Sequence, residues 1–266
     1  MSVTSHDGHI INLRIYRPAG ASDPLPVFYW MHGGGYVLGS ARQGDLFTLR
    51  AASELGMFAV SVEYRLAPET PYPGPLEDCY EGLSHLVGNA AALNLDTDKI
   101  IIGGVSAGGG LCAGLGLLVR DRRAFSVLGQ LLLYPMIDDR NVAATSDILA
   151  DTLVWTRAAN LFGWQSYLGD LYGSNDIPIY AAPARATDLS GLPPTYLPVG
   201  DLDLFLDENI AYAQKLTRSG IPTHFHVFPG AYHGFNAFAP EAPASVACNA
   251  EIFSFIAKIL GEADKD

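Results

Sequence analysis

A serine, a histidine and a choice of aspartates carry the chemistry in this sequence. Ser106 stands in Gly104-Val105-Ser106-Ala107-Gly108, a G-x-S-x-G pattern, with the apolar run KIII (99–102) before it and LCAGLGLLVRDR (111–122) after it. That context predicts a buried strand, a sharp turn and a helix, with the hydroxyl held out on the turn. Small residues on either side let strand and helix pack closely. The N–H groups and the positive dipole end of the new helix face the same point. A serine hydroxyl attacks little at neutral pH without an adjacent base. Of seven histidines, His233 is best placed, in the glycine-flanked loop PGAYHGFN (229–236) after the last strand-like run. His32 precedes the serine and adjoins a triple glycine, which suits a structural hydrogen bond. A carboxylate is then needed to fix the imidazole tautomer. Asp201, Asp203 and Asp207 follow one predicted strand, and Asp138 and Asp139 follow an earlier one. Spacing alone does not choose among them, and helix N-capping is the plain alternative for each.

The stretch WMHGGGYVLGS (30–40) fits the same chemistry. Glycine costs roughly 0.5–1 kcal/mol relative to alanine in a regular element, so three in a row need a cause. Attack on a carbonyl creates an oxyanion, and backbone N–H groups about 3 Å away are each worth ~2.7–4 kcal/mol in the transition state. His32-Gly33-Gly34-Gly35 matches the HGGG-type loop that supplies such donors, where a side chain would block the substrate. Rival readings are weaker. Residues 108–113 fit G-x-G-x-x-A, but inside a predicted helix and without the acidic residue a dinucleotide site needs about 20 positions on. His224 and His226 form H-x-H with no third metal ligand suggested, and an edge or interface role suits them better. His6, His9 and His85 carry no signal. No metal or cofactor is expected.

These residues need a scaffold. The runs INLRIY (11–16), PVFYWMH (26–32), MFAVSVEY (57–64), KIIIGG (99–104), VLGQLLLYP (127–135), PTYLPVG (194–200) and THFHVFP (223–229) read as strands, with helical spacing in 76–90, 111–122, 206–219 and 244–260. This alternation predicts an α/β fold with a mostly parallel sheet flanked by helices, in a single domain over 1–266. Residues 138–192 interrupt it without a clear strand and are rich in aromatics, which suggests a cap-like insertion. The formal charge is −12 with no Lys/Arg run, which disfavours nucleic acid and anionic membrane surfaces. No continuous apolar run approaches the ~18 residues of a membrane span, and no signal peptide is visible. Three widely spaced cysteines suit ordinary thiols in a reducing, cytoplasmic compartment.

In these motifs the chain resembles the hormone-sensitive-lipase-like branch of the α/β-hydrolases. The resemblance runs from about residue 10 and rests on HGGGYVLGS (32–40), EYRLAPETPYPGPLEDCY (63–80), GVSAGGG (104–110), GDLDLFLDE (200–208) and YHGF (232–235), in the family's order. It implies a serine carboxylesterase that forms an acyl-enzyme on small to medium esters, without metal or cofactor. It implies Ser106 as nucleophile, His233 as base, Asp203 as triad acid through the D-P-L-x-D-E pattern at 203–208, and Gly34, Gly35 and Ala107 as oxyanion donors. Asp78 and YRLAPE look structural. Val105, Gly110 and Leu204 depart from common family residues without touching the triad. Against the family pattern, the N-terminal cap segment is expected to be largely absent, so 138–192 would form most of a reduced cap. Pocket walls are expected at Tyr36, Trp155, Phe162, Leu204, Phe205 and Phe235. The resemblance also implies homodimer contacts through the last strand and helix. The alternatives are a lactonase or arylformamidase with the same triad, or a non-catalytic small-ligand receptor, which retention of His233 disfavours.

Overall fold

The structure is a computed structural model and describes residues 1–141 and 154–263, with side chains through 261. In chain order its elements are β1 (Ser2–Thr4), β2 (Ile10–Tyr16), β3 (Leu25–Met31), α1 (Asp45–Leu55), β4 (Phe58–Glu63), α2 (Gly74–Gly88), the single turn α3 (Ala90–Leu93), β5 (Leu95–Val105), α4 (Ala107–Arg122) and β6 (Gly129–Leu133). There follow α5 (Arg157–Leu168), β7 (Thr195–Gly200), α6 (Leu206–Arg218), β8 (Thr223–Phe228), the short α7 (Phe235–Phe238) and α8 (Pro243–Ala263).

Among the described residues eight strands form one sheet in the order β1-β2-β4-β3-β5-β6-β7-β8. The β1/β2 and β2/β4 pairs are antiparallel and the rest parallel. The expected mostly parallel α/β sheet is therefore what the chain forms. Its central strands are near-continuous apolar runs because both faces are covered. Along β3, Val27, Tyr29 and Met31 enter one core with residues of α2, α4 and α6. Phe28 and Trp30 enter the other core, beneath α1 and α8. β6 and β7 pair in register at Gln130↔Thr195 and Leu131↔Tyr196, and just past β6 the Tyr134 N–H donates to the Pro198 carbonyl of β7 at 2.8 Å. Ligand crevices in such sheets open beyond the carboxyl ends of the strands.

Several boundaries differ from the sequence reading. β1 and α1 are additional elements, and β5 begins at Leu95 rather than at 99. α4 begins at Ala107, four residues before the expected start at 111. The glycines 108–110 lower its intrinsic propensity, but tertiary packing overrides this. A Cβ at Gly108 would overlap the Met31 and His32 carbonyls, so the helix starts where strand and helix backbones touch.

Between β6 and β7 no strand occurs among the described residues, and α5 occupies the expected cap-like insertion. Residues 142–153 of that insertion lie outside the described residues. In α8, residues Pro243–Gly261 are long and apolar enough to cross a membrane by length and composition. This helix instead buries Cys248, Ile252, Phe255, Ile256 and Ile259 in the second core. The three thiols are free and buried, as expected. β8 forms the outer edge of the sheet. His224 and His226 on it face α8, where His226 Nδ1 lies 2.9 Å from Glu251 and His224 packs edge-on against Phe255. No cluster of metal-ligating side chains occurs among the described residues.

Candidate active site

The carboxyl ends of β3, β5, β6, β7 and β8 deliver His32, Ser106, Tyr134, Asp203 and His233 to one end of the sheet. Ser106 sits between β5 and α4 at φ 58°, ψ −122°, a backbone region sparsely populated by non-glycine residues. Three backbone bonds hold it there. Its N–H donates to the Leu133 carbonyl at 2.9 Å, and its carbonyl accepts the Gly110 and Met136 N–H groups, both at 3.0 Å. A Cβ at Gly104 would overlap the Gly108 carbonyl, which explains the small residues of G-x-S-x-G as close contacts across the turn.

Ser106 Oγ lies 2.9 Å from His233 Nε2, and His233 Nδ1 lies 2.9 Å from Asp203 Oδ2. All three residues are buried, Asp203 completely. The second carboxylate oxygen of Asp203 accepts the Phe205 N–H at 2.9 Å. An ionised carboxylate only accepts, so it places the imidazole proton on Nδ1 and leaves Nε2 to accept from the serine. The imidazole is wedged between the Phe205 ring, edge-on with centroids 5.0 Å apart, and Tyr134, edge-on at 5.1 Å. The Tyr134 hydroxyl donates to Asn236 Oδ1 at 2.5 Å, which ties this wedge to the loop that carries the histidine.

The other aspartates weighed from sequence are engaged elsewhere. Asp201 Oδ1 accepts the Gly230 N–H at 2.7 Å. Asp138 pairs with Arg140 at 2.8 Å and Asp139 with Arg185 at 2.6 Å. Asp207 is exposed in the first turn of α6. Among the five, only Asp203 reaches His233.

His32 is buried, stacks on Tyr64 with centroids 4.2 Å apart, and lies with Nδ1 2.7 Å from the Gly33 carbonyl. Burial pushes its pKa down, so it stays neutral and serves the structural role expected of it. Next to it, Gly34 and Gly35 have φ of 120° and 59°. The expected reason for the glycines, clearance for a substrate, needs correcting. A Cβ at Gly34 would overlap the Leu38 backbone, and one at Gly35 would overlap the Trp155 indole. Among the described residues neither the Gly34 nor the Gly35 N–H donates to another group. Ala107, the first residue of α4, has no intrahelical acceptor for its N–H.

Four of the expected pocket walls are also corrected. Tyr36, Leu204, Phe205 and Phe235 are at most 2 % exposed and belong to the packed layers behind the site. Tyr36 stacks on Tyr167 and Phe205 braces the histidine. Trp155 is half-buried against Gly35, and Phe162 is 55 % exposed on α5. Sequence reasoning missed Leu38 and Phe238, exposed side chains that pack against Gly34 and Gly234 respectively. It also missed the Tyr134–Asn236 brace. The Y-P pair after a strand and the N after HGF gave no signal that they meet.

Glu208 is a buried carboxyl beside the site. It accepts the Ile137 N–H at 2.8 Å, the Asp138 N–H at 3.3 Å and the Asn141 amide at 2.6 Å. Burial pushes its pKa well up, and these donors oppose the shift without cancelling it. A raised carboxyl contributes stability in full below the ordinary carboxylate range and loses it as pH rises towards the elevated folded value. Glu208→Gln is therefore expected to lose less stability than the wild type between pH 5 and 8. Thermal melts across that range check this, and parallel wild-type and variant curves would refute it.

A family model described as the α/β-hydrolase fold matches residues 28–237. The chain belongs to that family, in its hormone-sensitive-lipase-like branch, and is a carboxylic ester hydrolase. Carboxylesterase NlhH of Mycobacterium tuberculosis is 35% identical over 237 residues, which cover 88% of this chain and 74% of that protein. Ethyl acetate hydrolase of Pseudomonas putida is 28% identical over 245 residues, covering 88% of this chain and 74% of that protein. Among solved structures, a bacterial heroin esterase superposes with a TM-score of 0.93 at 42% identity, covering 98% of this chain and 83% of that one.

Proposed function

We propose that Ser106, His233 and Asp203 are the catalytic triad of this esterase and that the N–H groups of Gly34, Gly35 and Ala107 form its oxyanion hole. The reading rests on one observation, the continuous relay Ser106–His233–Asp203 with both contacts at 2.9 Å. Ser106 Oγ bonds to the ester carbonyl carbon while its proton passes to His233 Nε2. The carbonyl π pair becomes the oxyanion, held by the three N–H groups. Collapse re-forms the carbonyl and breaks the bond to the alkoxy oxygen, which leaves with the proton from His233. Water, deprotonated by the same imidazole, then releases the acid from the acyl-serine. A receptor that only binds its ligand would not need this relay.

The substrates are small to medium acyl esters. Similarity to a protein named ethyl acetate hydrolase supports the lower end of that range. Leu38, Phe162 and Phe238 supply apolar, exposed surface for such a substrate. Residues 138–192 act as the cap of a single α/β-hydrolase domain, and the open edge of β8 with α8 is the surface for a homodimer. The test uses a p-nitrophenyl ester series from acetate to laurate, followed by labelling with diisopropyl fluorophosphate. A burst near one equivalent per chain, an optimum at short to medium acyl length and a phosphoryl adduct on Ser106 alone are expected. Turnover on lactones or formamides, with none on acyl esters, would move the assignment to those substrates. An adduct elsewhere would remove Ser106 as nucleophile.

A further inference from the structure

We propose that Trp155 and Gly163 are positioning residues for the oxyanion loop, so that the cap helix α5 sets the geometry of the hole; this rests on the triad and oxyanion reading above. The loop is intrinsically unsettled. Gly34, Gly35 and Tyr36 have φ of 120°, 59° and 67° in succession. Two glycines offer the chain many other conformations, and a tyrosine at positive φ is strained.

Part of the restraint comes from the loop itself. The Gly34 carbonyl accepts the Val37 and Leu38 N–H groups, both at 3.0 Å, which fixes one edge of the peptide that carries the Gly35 N–H. The rest comes from α5. Its residues Asn160, Gly163, Trp164 and Tyr167 follow helical spacing and are buried. Tyr167 stacks on the Tyr36 ring with centroids 4.0 Å apart and planes 12° apart, and Trp164 packs on it at 5.4 Å. The Tyr36 hydroxyl donates to the Met136 carbonyl at 2.7 Å, which locks the strained residue. Gly163 lies directly on Gly35. A Cβ at 163 would stand 2.7 Å from the Gly35 carbonyl oxygen and 3.3 Å from Met136 Cε. The Trp155 indole occupies the place where a Cβ on Gly35 would go. Trp155 is itself held at the start of α5, where the Thr156 side chain caps the helix and Trp155 Nε1 lies 3.4 Å from Asn160 Oδ1. Gly35 is therefore gripped on both its carbonyl and its α-carbon by one helix and its leading residue. Donor geometry at an oxyanion is sensitive to such a grip, because loss of one donor costs about 10²–10³ in kcat.

The experiment compares Gly163→Ala, Trp155→Ala and Trp155→Phe with the wild type and Ser106→Ala on p-nitrophenyl acetate, with inhibition by trifluoroacetophenone. Gly163→Ala and Trp155→Ala are expected to lower kcat at least about tenfold with KM within about threefold. Trifluoroacetophenone, whose adduct with serine carries the oxyanion, should weaken in step with kcat/KM, and Trp155→Phe should restore most of the rate. Folded variants with kcat within twofold of wild type, or a loss wholly in KM, overturn the proposal. If Gly163→Ala does not fold, the two Trp155 variants decide it. An active wild type with unaffected variants refutes the grip alone. Equal turnover by wild type and Ser106→Ala refutes the triad reading and the grip with it.

Discussion

Ser106→Ala is expected to lower kcat on p-nitrophenyl acetate by about 10⁶, or roughly 8 kcal/mol in the barrier, while leaving KM near the wild-type value. The size follows from the relay. Without Oγ, His233 Nε2 has nothing to deprotonate but water, and no acyl-enzyme forms. A residual rate above the solution reaction should survive, because the N–H groups of the Gly34–Gly35 loop and of Ala107 are untouched. The fold should survive as well, because the backbone bonds of residue 106 to Leu133, Gly110 and Met136 do not involve its side chain. Ser106→Gly is the informative companion. At φ 58° and ψ −122° a Cβ is strained by about 1–3 kcal/mol, and glycine is not. The glycine variant should be as inactive as the alanine one yet melt several degrees higher. Steady-state kinetics and thermal melts on the three proteins read both effects. Turnover within tenfold of wild type in either variant would remove Ser106 from the chemistry.

How far the sequence displays this site depends on how local each cause is. Ser106 is legible because the strand, the small residues and the helix that strain it are contiguous in the chain. The glycine loop is legible for a similar reason, although its glycines answer to Leu38 and Trp155 rather than to a substrate. His233 follows from chain order, while what holds its ring does not. Tyr134 and Phe205 come from loops 99 and 28 residues away and meet it only in the folded sheet. The pocket walls fail for a related cause. Aromatic residues near a site bury both their faces as readily as they line a cleft, and composition does not say which. Tyr36 shows this, with its ring taken up by Tyr167 and Trp164. Gly163 is the least legible of all. One glycine in a helix reads as a minor loss of propensity, and only the approach of Gly35 gives it a purpose.

Asp203→Asn should lower kcat by about 10⁴, and the same change at Asp201, Asp207, Asp138 or Asp139 by no more than a few-fold. The five acids are equivalent in sequence spacing, so the contrast tests what the fold adds. After β7 the chain turns so that the Phe205 N–H reaches one carboxylate oxygen of Asp203, which aims the other at His233 Nδ1. An asparagine can keep the first bond by presenting its carbonyl oxygen to Phe205, and the turn should hold. Its amide then points at the imidazole as a donor. His233 Nδ1 must accept, the ring proton moves to Nε2, and Nε2 meets the serine as a donor rather than a base. The variant therefore keeps the shape of the relay while reversing its direction. A small change in Tm beside a large loss in kcat is the expected signature. Asp201→Asn is the sharpest control, because Asp201 stands two residues away and holds the histidine loop through the Gly230 N–H at 2.7 Å. An asparagine oxygen can accept that bond equally well. If Asp201→Asn fell as far as Asp203→Asn, the rate would not depend specifically on the acceptor at His233 Nδ1, and tautomer control by Asp203 would be refuted. A loss confined to Asp203 would tie the rate to the proton on Nδ1.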